Sequence, residues 1–126
     1  MERDAVIVAG FGYRSGATPA SLHAALALAQ AGHAPVTALA APADKVASLA
    51  TLAVTLALPV IAIWPSDLRT PLTPTRSLAS LAARDTGSVA EAAALAAAGK
   101  GARLLTPRHI SPDRMATCAI AEGPHR

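Results

Sequence analysis

The residues best suited to chemistry lie between Gly10 and Thr18, in the segment GFGYRSGAT. Gly10, Gly12 and Gly16 surround one cation, Arg14, with Ser15 beside it. Thr18 and Pro19 follow as a helix cap and a first helical residue. Glycines between a strand and a helix start allow close backbone approach and present free N–H groups to an anion. Arg14 adds a planar fork that matches carboxylate or phosphate. Gly10, Gly12, Arg14, Ser15, Gly16 and Thr18 are therefore the first candidate ligand contacts. The spacing G-x-G-x-x-x-G is one residue longer than the dinucleotide fingerprint, and no acidic residue closes the next apolar run to hold a ribose. No lysine follows Gly16, so the loop is not a P-loop. A tight strand-to-helix turn that binds nothing accounts for the same glycines.

The elements that must position this loop follow from periodicity. Val6–Ala9 reads as a buried strand. Leu22, Ala25, Leu26 and Ala29 line one face of a helix over Pro19–Ala31, closed by Gly32. Val36–Ala41 reads as a second strand, a second helix runs from the Pro42–Asp44 turn to about Ala57, and Val60–Trp64 reads as a third strand. This β-α-β-α-β order implies parallel strands. Ligands of open α/β sheets bind outside the carboxyl ends of such strands, so Gly10–Thr18 and the turn Ala41–Lys45 are expected side by side at that edge. Pro65–Arg76, PSDLRTPLTPTR, is a long polar connection of the kind that serves as a lid or as a plain spacer. A short helix over Arg76–Arg84 follows. Ser88 and Glu91 fit a capping box for a helix closed by Gly99. Arg103–Thr106 and Thr117–Ala121 are short strands joined by Pro107–Met115, a link suited to a hairpin. The fold expected is α/β: a single-domain three-layer sandwich over residues 1–126, with a parallel βαβαβ half and an antiparallel C-terminal hairpin.

Composition narrows the function classes. The chain has 126 residues, 52% of them hydrophobic, with one Trp, one Tyr and one Phe, so the core must be aliphatic and alanine-rich. A net charge of +3 without a basic run or stacking aromatics disfavours nucleic acid and suits a small polyanion. Cys118 is the single cysteine, inside an apolar run, and reads as a buried, inert thiol. The four histidines show no metal-ligand spacing with it, so neither a metal nor a cofactor is expected. Val46–Ser66 is uncharged, but Pro59 splits it and Ser48, Thr51 and Thr55 form a polar stripe. It therefore reads as a helix and a strand rather than a membrane span. The start MERDAVIVAG is not a secretory signal, and a cytoplasmic location is expected.

Several segments in order resemble the C-terminal domain of the CbiG family of cobalamin biosynthesis, in which a domain of this size also occurs alone as the CobE type. Gly10–Thr18 resembles its glycine–arginine loop, and Ala41–Lys45 its loop ending in lysine before the second helix. Leu58-Pro59 resembles the entry to its third strand, Gly87–Leu95 its late capped helix, and Leu104–Arg108 with Ala116–Ala121 its closing hairpin. The family loop often has Cys at the position of Tyr13 and Thr at that of Ala17, which argues against a thiol role here. The resemblance implies a corrin-pathway protein whose ligand is a carboxylate-rich precorrin or corrinoid intermediate, with other enzymes of that pathway as candidate partners. It adds Lys45 and Arg108 to the candidate contacts, by charge-assisted bonds to carboxylates, and Trp64 and Leu68 as cover for the ring. A solvated lysine at a helix start accounts equally for Lys45. Binding or carrying the intermediate, hydrolysis of a precorrin δ-lactone, and an unrelated nucleotide-binding domain remain the alternatives. For hydrolysis, His109, Asp44 and Glu91 are the available bases.

Overall fold

The computed structural model describes residues 6–14, 16–33, 35–64, 89–99 and 101–123. In chain order these form β1 (Val6–Tyr13), α1 (Pro19–Gln30), β2 (Ala38–Pro42), a 3-10 helix (Ala43–Leu49) running into α2 (Ala50–Leu56), and β3 (Val60–Ile63). Then come α3 (Val89–Ala98), β4 (Arg103–Ile110) and β5 (Ala116–Gly123). One five-stranded sheet has the order β3-β2-β1-β5-β4. β1, β2 and β3 are parallel, while β5 is antiparallel to both β1 and β4. The expected mixed α/β domain is therefore what forms.

Side-chain alternation along the strands builds two apolar faces. Ala9, Phe11, Leu39, Ala41, Cys118 and Ile120 pack with Leu22, Leu26, Leu49 and Leu52. On the opposite face, Val8, Ala38, Ala40, Ile63 and Ala121 meet the alanines of α3. The contact with α3 is close enough to exclude a side chain at two positions of the sheet. A Cβ on Gly10 would lie 2.9 Å from the Cα of Ala94 and closer still to the Ala90 carbonyl, and one on Gly123 would strike the Ala98 carbonyl.

Three expectations change. β1 does not stop at Ala9: its pairing with β5 runs from Val6↔Gly123 to Tyr13↔Ala116, so Gly10 and Gly12 are strand residues. β4 extends past Thr106 to Ile110, because irregular pairing between Leu104 and His109 lets the strand continue through Pro107. The second helix opens as a 3-10 helix over Ala43–Leu49, although it ends near Ala57 as expected, where the backbone is left-handed with φ 57°. The connection Pro65–Arg76, the helix expected over Arg76–Arg84, and Ser88 lie outside the described residues. Among the described residues, no helix is long and apolar enough to cross a membrane.

Candidate functional site

The C-terminal ends of β1 and β2 lie side by side, and the segments leaving them carry the candidate cations. Arg14, immediately after β1, is exposed. Its N–H donates to the Met115 carbonyl (2.9 Å), and its carbonyl accepts the N–H of Ala17 (3.0 Å), which makes a tight turn. Gly16 within this turn has φ 96°, a conformation that only glycine adopts without strain. Ser15 lies outside the described residues.

Lys45 leans onto the same turn from the 3-10 helix. Its Nζ donates to the Tyr13 carbonyl (3.1 Å) and lies 5.1 Å from the centre of the Tyr13 ring. This bond and the cation–π contact hold the ammonium beside Arg14's backbone. The expected juxtaposition of the Gly10–Thr18 and Ala41–Lys45 segments is thus observed, and Lys45 is braced rather than freely solvated. Burial pushes the Tyr13 phenol above its ordinary pKa; the Ser48 hydroxyl offsets part of the rise and Asp44 adds to it. Ser48 does not reach full hydrogen-bond geometry, and Tyr13 Oη is buried without a partner among the described residues.

Thr18 caps α1 as expected, and its side chain is committed to that task. Thr18 Oγ1 accepts the Ser21 N–H (3.2 Å), and Ser21 Oγ accepts the Thr18 N–H (3.2 Å), so a serine fills the reciprocal place of a capping box. The start of α1 also has a carboxylate of its own. Ser21 Oγ donates to Asp113 Oδ2 (2.5 Å), while Ser111 Oγ (2.5 Å) and the Met115 N–H (3.1 Å) donate to Oδ1. The Ser111 and Ser21 hydroxyls, with the Met115 amide, hold the Asp113 carboxyl below its usual pKa. Asp113 was not a sequence candidate, since Ser-Pro-Asp signals only a turn; its partner Ser21 is 92 positions away.

The remaining candidates separate from this group. Gly10 is buried in β1 under the α3 backbone and serves helix packing rather than ligand approach. Gly12 is half-buried, and a Cβ there would lie 3.1 Å from Thr117 Oγ1 and 3.3 Å from the Cβ of Val89. Arg108 is half-buried on β4, which is three strand spacings from β2, about 14 Å. It lies in the interval where three steps of β4, Thr106 to His109, oppose two of β5, Ile120 to Cys118. Such a bulge takes an amide out of the ladder. Glu91 Oε2 receives the Arg108 N–H at 3.1 Å, from a side chain that is fully buried. Glu91 thus reaches across to β4, a role the capping pattern did not announce. His109 is occupied with Thr106 Oγ1 (3.0 Å). Trp64, at the end of β3, is 63% exposed, and Leu68 lies outside the described residues. Among the described residues no group of three His, Cys, Asp or Glu side chains is placed to hold a metal ion.

Comparison with known proteins gives a consistent result. The pattern described as "Cobalamin synthesis G C-terminus" matches residues 7–121. The crystal structure of CobE, a protein from the cobalamin (vitamin B12) biosynthetic pathway, is similar with a TM-score of 0.83 and 30% identity, over 97% of this chain and 93% of that one. Cobalamin biosynthesis protein chiG from Agrobacterium tumefaciens str. C58 is similar with a TM-score of 0.70 and 37% identity, over 92% of this chain and 97% of that one. No curated protein sequence matches significantly.

Proposed function

This chain belongs to the cobalamin synthesis G C-terminus family and is a protein of cobalamin biosynthesis; from that premise we propose that it binds or carries a carboxylate-rich precorrin or corrinoid intermediate. The observation that carries this reading is the pairing of Lys45, braced on the Tyr13 carbonyl, with the exposed Arg14 turn. A braced ammonium and an exposed arginine beside a glycine turn suit the carboxylates on the rim of a corrin, each by a charge-assisted bond. Arg108, on the outer strand β4, would serve a different carboxylate of a wide ligand.

Two carboxylates, Asp113 and Glu91, are engaged in hydrogen bonds, which supports binding over lactone hydrolysis by either of them. A general base must be free to take a proton. Asp113 accepts three hydrogen bonds and has a lowered pKa, and Glu91 is buried against the Arg108 amide.

The test is titration with cobyrinic acid, a corrin whose acidic side chains are free, and with its methyl ester. The acid binds and the ester does not. Arg14→Ala weakens binding by about 1.5–3 kcal/mol, the range for a hydrogen bond to a charged group. Arg14→Lys recovers only part of that, because it keeps the charge and loses the fork. Equal affinities for the three proteins would remove Arg14 from the site. Anaerobic incubation with precorrin intermediates, followed by mass analysis, separates carrier from hydrolase: a carrier returns the intermediate unchanged.

A further inference from the structure

The hairpin turn between β4 and β5 touches both ends of the Arg14 turn. The Met115 carbonyl holds the Arg14 N–H at the end of β1, while the Asp113 carboxylate holds Ser21, which closes the cap on Thr18. The two attachments share one support, because the Met115 N–H is itself bound to Asp113 Oδ1. Ser111 stiffens that support from beneath. Its hydroxyl donates to Asp113 and accepts the Ala116 N–H (3.1 Å), and its carbonyl accepts the N–H of Arg114, which is left-handed with φ 62°. Met115 also covers the turn, with Cε 3.5 Å from where a Cβ on Gly16 would lie.

We infer that Asp113 positions the Arg14–Thr18 turn for its ligand, by tying both ends of that turn to the β4–β5 hairpin. The inference rests on the reading of Arg14 as a ligand contact. Asp113 is exposed, and all three of its donors are uncharged. Its contribution is therefore directional. Its negative charge, next to a turn that receives carboxylates, opposes the ligand. Asparagine can preserve the directions: its oxygen accepts from Ser111 and Met115, and its amide donates to Ser21 Oγ, whose proton turns to Thr18 Oγ1, 3.1 Å away. Geometry and charge can thus be separated by one pair of variants.

The experiment compares wild type, Asp113→Ala, Asp113→Asn, Ser21→Ala and Arg14→Ala. Amide hydrogen exchange is read at Arg14, Ala17 and Thr18 without ligand, and affinity is read by titration with cobyrinic acid. Asp113→Ala speeds exchange at these amides and weakens binding by about tenfold, the equivalent of one net hydrogen bond. Ser21→Ala, which cuts the same tie from the helix side, moves both readouts in the same direction. Asp113→Asn keeps wild-type exchange and binds at least as tightly as wild type. Wild-type exchange and affinity in Asp113→Ala would overturn the inference, and so would an Asn variant no better than the Ala variant. Failure of the ligand reading is distinguishable: Arg14→Ala then binds like wild type, while exchange still decides whether Asp113 orders the turn.

Discussion

At the residue scale, Tyr13 is the least expected feature of the site. Its carbonyl and ring hold Lys45, yet its hydroxyl is buried without a partner among the described residues. A buried hydroxyl without a well-formed hydrogen bond keeps much of its desolvation cost, which is about 1–3 kcal/mol for an unsatisfied group. Phenylalanine would retain the ring under Lys45 and remove that cost. Tyr13→Phe is therefore expected to melt at the same temperature as wild type or higher. A clear drop in thermal melts would mean that the hydroxyl has a water or another partner in solution.

At the scale of elements, α3 decides what two of the conspicuous residues are for. Its backbone lies against β1, so Gly10 is a packing position. Gly10→Ala places a methyl group against the Ala90 carbonyl and the Ala94 amide nitrogen, and backbone cannot rotate away as a side chain can. The expected cost is about 1–3 kcal/mol or more, the usual penalty of overpacking, read by urea unfolding. A neutral Gly10→Ala would show that α3 can lift from the sheet. Glu91, in the first turn of the same helix, holds the Arg108 amide of β4. Glu91→Gln keeps an acceptor oxygen, so stability and ligand binding should stay near wild type. Glu91→Ala leaves that amide unmatched at a cost of about 1–3 kcal/mol. If Gln and Ala variants unfold alike, the carboxylate's charge and not its hydrogen bond is what matters there.

For the whole molecule, small side chains bring three layers close together, with Ala9, Ala25, Ala29 and Ala41 on one face of the sheet and Ala92, Ala93, Ala94 and Ala98 on the other. Cys118 sits in β5 between β1 and β4, fully buried against α1's side of the sheet. Burial alone pushes its thiol far above the ordinary range, so it is neither exposed nor ionised in the native state. It is thus a built-in reporter of global opening. Labelling by a thiol reagent should occur only through unfolding, with a free energy equal to that from urea denaturation. Faster labelling would reveal a partial opening in which α1 leaves the sheet.

What the sequence alone determined is what local physics encodes. The 3.6-residue spacing of Leu22, Ala25, Leu26 and Ala29, the Thr18 cap and the apolar runs suffice for the β-α-β-α-β order, and that order brings Arg14 and Lys45 to one edge. The family resemblance was legible for the same reason, since it rests on short motifs in a fixed order. Tertiary structure decided the rest. Gly10 resembled a loop glycine until the α3 backbone was seen to occupy the space above it. Glu91 fits a cap with Ser88, which lies outside the described residues, and its carboxylate also meets β4, 17 positions away. Asp113 looked like a turn residue, yet it joins Ser21 across 92 positions. Periodicity and capping patterns describe a residue's neighbours along the chain. A carboxylate that supports a distant turn, or a missing side chain that admits a helix, is defined by neighbours that only folding supplies.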